Sequence, residues 1–252
     1  MQQKKDSAKR YKQQFIIGRK PLEEALENGI QIERIFIQKG IVGAEVDNII
    51  NNARKLAIAV SVVPPEKINS FTKANHQGVL AIAALIEYQD LQNVISQVVD
   101  KGEVPLFIML DGITDVRNIG GIARSCYAMG VHGIIIPDKG VGSLNEDAVK
   151  TSAGALLQMP ICRVGSLLKA VDTLHLNGIM VYGSDIAATT TVSELTKTDP
   201  CCIIMGSEDK GIFPPLLKAC DLSFKVPMVR NFESLNVSVA TGIILYEMQK
   251  GQ

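Results

Sequence analysis

Apolar and polar positions follow two rhythms along this chain, and the rhythm changes near residue 86. Before that point, short apolar runs alternate with amphipathic stretches. "PLEEALENG" (21–29) predicts a helix, with Pro21 near its start and Gly29 just past its end. "RIFIQ" (34–38) predicts a strand, "AEVDNIINNARKL" (44–56) a helix and "AIAVSVV" (57–63) a second strand. "PPEKINSFT" (64–72) then reads as a short helix and "GVLAIAALI" (78–86) as a strand that closes this small α/β unit. The polar, amphipathic stretch 87–104 reads as a linker carrying a helix.

Beyond residue 104 the apolar runs become continuous: "LFIMLD" (106–111), "GIIIP" (133–137), "ICRV" (161–164), "IMVYG" (179–183), "CCIIMG" (201–206) and "FKVP" (224–227). Short unbroken apolar strands belong to a parallel sheet covered on both faces. Helices are expected between them at about 118–129, 145–158, 166–176, 214–220 and 234–248. The fold class is therefore α/β. Ligands of open α/β sheets sit beyond the carboxyl ends of the strands, which directs attention to the loops after residues 110, 137, 183, 206 and 227.

The last helix is unusual. Val237, Val239, Ala240, Ile243, Ile244, Leu245, Tyr246 and Met248 spread around nearly its whole circumference, so it is expected to be buried on every side. It opens, however, on Glu233, Ser234 and Asn236, polar groups that a buried position must satisfy. Ser234 is the expected cap, which leaves Asn236 as a polar group beside an apolar helix.

Composition narrows the function classes. The chain has 252 residues, 46% hydrophobic and 21% charged, with a formal net charge of zero, which argues against a wholly basic nucleic-acid coat. The average hides a basic arm: residues 1–20 carry Lys4, Lys5, Lys9, Arg10, Lys12, Arg19 and Lys20 against Asp6. Such an arm suits a polyanion, and from charge alone a solubilising terminus is an equal reading. The five cysteines lack C-x-x-C spacing and mostly lie in apolar runs, as buried thiols do in a reducing compartment. The three histidines have no metal-ligand spacing, no apolar run has the length of a membrane span, and no secretory leader is legible, so a metal-free cytoplasmic protein is expected.

The usual catalytic signatures are missing. "GVGSLN" has Asn145 where a dinucleotide loop needs its third glycine, and "GSEDKGI" has Ile212 where a P-loop needs lysine. Three loops still carry polar groups that packing does not require. In "DGITDVRNIGGIARSCYAMG", Asn118 is expected to cap a helix whose apolar stripe is Ile119, Ile122, Cys126 and Met129. Arg124 lies off that stripe, and Gly120 and Gly121 weaken the first turn while letting a backbone or a ligand approach. In "GSEDKG", two glycines flank Glu208 directly after a strand. "VPMVRNFESLNVS" supplies Ser234 and Asn236. Taken alone, the first two loops read better as an ordinary capped helix and an ordinary turn, and the third as a local cap that leaves Asn236 unexplained; three at one sheet edge point to a site.

In this order and spacing, "NIGGIAR", "IIMGSEDKGI" and "VPMVRNFESLNVSVATGIILYE" resemble the three motifs of the SpoU (TrmH-like) RNA ribose methyltransferases, members of the SPOUT class. "FIIGRKPLEEAL" and "NHQGVLAIAA" resemble the small L30e-like substrate-binding domain that precedes the catalytic domain in rRNA members. The resemblance implies a basic arm (1–14), an L30e-like RNA-binding domain (15–86), a linker (87–104) and a trefoil-knotted methyltransferase domain (105–252). It implies S-adenosylmethionine as methyl donor and a homodimer formed through the knotted domain, its final helix packed on the second subunit. The implied substrate is a ribose 2′-hydroxyl of RNA, a guanosine of 23S rRNA above all. A tRNA methyltransferase and a non-catalytic RNA-binding ribosome assembly factor are the alternatives. By match to the motifs, Asn118 and Arg124 position the nucleotide and the attacking oxygen. Glu208, Ser234 and Asn236 orient ribose and donor, and the backbone at Gly206, Val226 and Leu235 embraces the adenosine. Arg124 is assigned to phosphate and oxyanion stabilisation rather than to base catalysis, since a guanidinium stays protonated in proteins. The chain departs from the family pattern at Val116, where proline is frequent, and at Asp209 and Arg230, where glycine is frequent.

Overall fold

The computed structural model describes residues 14–56, 58–142, 144–195, 198–230 and 234–250, so the basic arm up to residue 13 and Glu233 lie outside the described residues. The chain divides after Leu85 into two compact units.

The first unit runs β1 (Phe15–Ile17), α1 (Arg19–Glu27), β2 (Ile32–Gln38), α2 (Ala44–Lys55), β3 (Ala59–Val63), α3 (Pro65–Phe71) and β4 (Val79–Ala83). Its sheet has the order β1-β4-β2-β3, with β4 antiparallel to both neighbours and β3 parallel to β2. Side chains alternate across a strand, which explains the two cores. Ile35, Ile37, Val79 and Ala81 meet the apolar stripes of α1 and α2 (Leu22, Ala25, Leu26; Val46, Ile49, Ala53). Phe36, Leu80 and Ile82 face the other way and pack on Ile68 and Phe71 of α3.

The second unit opens with α4 (Leu91–Asp100), followed by β5 (Leu106–Leu110), α5 (Val116–Ala128), β6 (Gly133–Pro137), α6 (Glu146–Thr151) and β7 (Ile161–Val164). It continues with α7 (Leu167–Leu176), β8 (Met180–Ser184), β9 (Thr190–Thr191), β10 (Cys201–Met205), α8 (Pro214–Lys218), β11 (Leu222–Lys225) and α9 (Val237–Gln249). The stretch read as linker plus helix is more than a linker. Leu91, Val94, Ile95 and Val98 of α4, at helical spacing, are buried in one core with Phe107 and Met109 of β5, Ala170, Val171 and Leu174 of α7, and Leu216 of α8.

Seven parallel strands form the second sheet in the order β7-β6-β5-β10-β8-β11-β9. From β5 the chain winds outward through β6 and β7, then returns to the other side of β5 and leaves room for β10 between β5 and β8. That reversal is the crevice where open α/β sheets bind ligands.

Local details depart from the sequence expectations. The helix expected over 145–158 ends at Thr151, because Ala153 (φ +52°) and Gly154 (φ +88°) turn the chain before a single 3₁₀ turn at Ala155–Leu157. The two-residue edge strand β9 has no apolar run to announce it. The last helix is not buried on every side: Val239, Ile243 and Tyr246 are 52%, 40% and 57% exposed within this chain. Cys126, Cys162, Cys201 and Cys202 are buried and Cys220 is partly so. Burial pushes the Cys162 and Cys201 thiols up to about 12 and Cys220 to about 11. No helix among the described residues is long and apolar enough to cross a membrane.

Candidate active site

Three loops at the carboxyl edge of the second sheet meet through hydrogen bonds. The first follows β5. Its Asp111 is tied down twice: its amide donates to Met205 O at 2.9 Å, and its Oδ2 accepts from the Phe213 amide at 2.6 Å. α5 then starts two residues earlier than expected, and its cap is Asp115, whose side chain accepts from Arg117 N at 2.8 Å. Asn118 is therefore not the cap. It sits in the first helical turn, where its side chain is free to work elsewhere.

Two glycines explain why α5 sits so deep. A Cβ on Gly120 would lie 2.7 Å from Thr151 Cβ and 2.8 Å from Ala148 O of α6, while one on Gly121 would lie 3.0 Å from Ser238 Cβ of α9. α5 is thus wedged between two helices, and the lost helix propensity is exchanged for close packing on both sides.

The second loop follows β10. Ser207 and Gly211 exchange backbone hydrogen bonds (Ser207 N to Gly211 O, 3.2 Å; Gly211 N to Ser207 O, 2.9 Å), closing a tight turn that holds Glu208 outward. Gly206 has no alternative residue here, because a Cβ would strike the backbone of Gly211 and Ile212.

The third loop leads into α9, and here too the cap differs from expectation. Asn236, not Ser234, caps the helix: its Oδ1 accepts from Ser238 N at 3.0 Å, Val239 N at 3.4 Å and Ser238 Oγ at 2.6 Å. Asn236 is exposed, so it carries no burial penalty of the kind expected for it.

With the cap using Oδ1, the amide nitrogen of Asn236 points at the other two loops. It donates to Asn118 Oδ1 at 2.9 Å and to Glu208 Oε1 at 2.8 Å. Asn118 Nδ2 closes the ring by donating to the same Glu208 Oε1 at 3.1 Å, and the Val237 amide adds a third bond to that oxygen at 3.3 Å. One carboxylate oxygen thus collects three donors from residues 90, 28 and 29 positions away along the chain. The other, Oε2, has no partner among the described residues and remains available as an acceptor.

Beside this cluster lies a cavity of about 610 Å³, lined by segments that follow β8, β10 and β11 and by the start of α9. That volume falls in the range that holds a cofactor. Gly206, Val226, Leu235, Ser234 and Glu208 all line it. Apolar walls come from Met205, Ile212 and Leu217, and charged groups at its rim from Asp185 and Lys225. Arg124 is the exception among the expected site residues. It lies six residues beyond Asn118 on α5, roughly 120° around the axis, and is exposed with no partner among the described residues. The structure does not bring it into the cluster. Asp111 and Ser238, which brace the loops, and Asp185 and Lys225 were not singled out in the sequence. Asp111 and Asp185 each follow a strand end, which is the one signal that could have found them.

Comparison with known proteins places both units in one family. Residues 105–246 match the model of the SpoU rRNA Methylase family, and residues 15–89 match that of RNA 2'-O ribose methyltransferase substrate binding. A "Putative TrmH family tRNA/rRNA methyltransferase" from Staphylococcus haemolyticus is 35% identical over 93% of this chain and 94% of its own. Among solved structures, an AdoMet-bound rRNA methyltransferase from Sinorhizobium meliloti aligns over 99% of this chain and 90% of its own at 22% identity, with a TM-score of 0.61. The A. aeolicus TrmH/SpoU tRNA modifying enzyme aligns over 63% of this chain and 81% of its own at 25% identity, with a TM-score of 0.54. Family models that cover both units, together with a relative aligned almost end to end, establish that this chain belongs to the SpoU family of RNA 2′-O-ribose methyltransferases.

Proposed function

We propose that this protein transfers a methyl group from S-adenosylmethionine to the 2′-hydroxyl of a guanosine in 23S rRNA, and that it acts as a homodimer. The observation that carries the reading is the ring of hydrogen bonds joining Asn118, Glu208 and Asn236 at the cavity lined by Gly206, Val226 and Leu235. A chain built only to bind RNA has no need to aim three loops at one carboxylate.

The cavity suits the donor. Its apolar walls and the glycine-tight turn at 206–211 leave backbone groups to face an adenosine, and the volume is ample. When bound, S-adenosylmethionine supplies a methyl group on a sulfonium, already a strong electrophile. The residues then have two tasks: alignment of a ribose oxygen for attack and management of its proton. Glu208 Oε2 accepts the hydrogen bond of the ribose hydroxyl, while Oε1 stays pinned by its three donors. Asn118 and Asn236 fix that carboxylate, and Ser234, on the cavity wall, orients donor and ribose. Arg124, exposed, without a partner among the described residues and outside the cluster, holds an RNA phosphate.

Two features support the finer points. The rRNA-named structure aligns over both units, whereas the tRNA-named one aligns over 63% of the chain, which favours rRNA over tRNA. The guanosine and the trefoil knot rest on the resemblance of the motifs. Val239, Ile243 and Tyr246, one exposed apolar stripe on α9, support a second copy of the chain as its cover. The test offers labelled donor to 23S rRNA and tRNA transcripts together. Label in the rRNA alone is expected; label confined to tRNA overturns the substrate assignment.

A further inference from the structure

The loop that carries Glu208 also carries a residue with no task in the fold. Phe213 follows Ile212, a wall of the cavity beside the cluster, and stands 56% exposed at the carboxyl edge of the second sheet. It occupies the N-cap of α8, where a short polar side chain would satisfy the open amides of the first turn, and it makes no such bond. Nor is its ring covered. Two other aromatics of the second unit are exposed among the described residues, and each is engaged. Tyr127 donates to Gln158 Oε1 at 2.9 Å, and Tyr246 lies under Lys250 Nζ, 5.6 Å from its ring centroid. The ring of Phe213 has no aromatic or cationic partner among the described residues.

The backbone beneath that ring is held at both ends. Phe213 N donates to Asp111 Oδ2 at 2.6 Å, and its carbonyl accepts from Leu216 N at 2.8 Å and Leu217 N at 2.9 Å. Pro214 comes next and confines Phe213 to extended backbone, where its φ of −52° and ψ of 125° lie. An uncovered apolar ring on a fastened backbone runs against local propensity, and such breaks gather at functional sites. A face already fixed in place also loses little freedom when a flat ligand settles on it. The tether sets where that face stands. Asp111 opens the loop that delivers Asn118, and the Ser207–Gly211 turn delivers Glu208, so Phe213 belongs to the seam between two of the three loops of the cluster. The flat ligand that a ribose methyltransferase brings to this seam is the base attached to its ribose, and bases splayed out of a helix stack on aromatic side chains.

Resting on the reading that Glu208 receives a ribose hydroxyl of RNA, we infer that Phe213 is the stacking platform for the base of the nucleotide being methylated. It meets the base and no reacting atom, so it positions the ribose without taking part in proton or methyl transfer. Stacking uses a π face that every base has, so Phe213 fixes the pose and leaves the choice of base to other groups.

The test compares Phe213→Leu, Phe213→Ala and Phe213→Trp in the full chain. Single-turnover methyl transfer is followed at saturating S-adenosylmethionine while 23S rRNA or tRNA transcript is titrated, with filter binding of the same transcripts alongside. Phe213→Leu keeps an apolar side chain and removes the π face, whereas Phe213→Trp keeps the face. The RNA concentration at half-maximal rate is expected to rise about tenfold in Phe213→Leu and Phe213→Ala and to stay near wild type in Phe213→Trp. Melting temperature and affinity for S-adenosylhomocysteine are expected to stay level in all three. Wild-type RNA dependence in Phe213→Leu, or an equal loss in Phe213→Trp, overturns the inference, as does a loss of S-adenosylhomocysteine affinity that accounts for the slower transfer. RNA binding that weakens in Phe213→Leu and recovers in Phe213→Trp, with a wild-type chain that transfers no methyl, overturns the proposed reaction instead and leaves the stacking contact standing.

Discussion

The two units both gather polar groups at a sheet edge, but they hold them differently. In the second unit the cluster is made of short side chains, two amides around one carboxylate, drawn from three loops and locked to each other. In the first, long cationic side chains line an open cavity, and only Arg19 among them is pinned. Short, mutually bonded groups lose little freedom when a ligand arrives and define a position closely. Long exposed cations define a position poorly but attract a polyanion from a distance. The contrast fits the proposed division of labour, with geometry for the reaction in one unit and substrate binding in the other.

The most damaging change on the catalytic side is Glu208→Ala. It removes the acceptor for three donors, so the three loops lose their common anchor. Single-turnover methyl transfer is expected to fall by about 100-fold, while RNA affinity, to which the substrate-binding unit contributes, is expected to fall far less. Equal losses of turnover and RNA affinity would break the comparison. Asn236→Asp sharpens it. Aspartate caps a helix as well as asparagine does, so thermal stability should hold, but it replaces the donor that reaches Glu208 Oε1 at 2.8 Å with a like charge. Transfer is expected to fall by at least about tenfold without unfolding, as judged by circular dichroism alongside the rate.

Smaller effects test how rigidly α5 presents Asn118. Gly120→Ala gains helix propensity but drives a methyl into the Ala148 carbonyl and Thr151, and is expected to lose about 1–3 kcal/mol in denaturant melts. Gly121→Ala meets only the movable Ser238 side chain and should stay closer to neutral. The least effect belongs to the cap. The hydrogen bond from the Arg117 side chain holds the Asp115 carboxyl below its usual 3.8. A depressed folded pKa gives stability that is present above the unfolded value and is lost as pH falls through the folded one. Wild type should therefore lose melting temperature below about pH 4, and Asp115→Asn should flatten that loss.

Much of this was legible in sequence, and the failures have common causes. The continuous runs "LFIML" and "CCIIM" became adjacent central strands of a parallel sheet, as unbroken apolar strands do. Cap positions slipped because Asp, Asn and Ser cap about equally well. In "TDVRN" and "SLN" two candidates stand two or three residues apart, and tertiary contacts chose Asp115 and Asn236. The double role of Asn236, cap through Oδ1 and site through Nδ2, shows only when distant loops are seen together. The apolar circumference of α9 predicted burial, yet Val239, Ile243 and Tyr246 lack cover in this chain, since hydropathy does not say whether the cover comes from the same chain. The role of Arg124 rested on the motif alone, and nothing in one chain brings it to the cluster.

The most direct measurement is the chemical position of the transferred methyl group. Ribosomal RNA incubated with the protein and methyl-labelled S-adenosylmethionine would be hydrolysed in alkali, which cuts every linkage except those beside a blocked 2′-oxygen. Label in alkali-resistant dinucleotides, reduced about 100-fold with Glu208→Ala, is the predicted result. Label on a base, or undiminished transfer by that variant, would contradict the assignment of the Asn118–Glu208–Asn236 cluster.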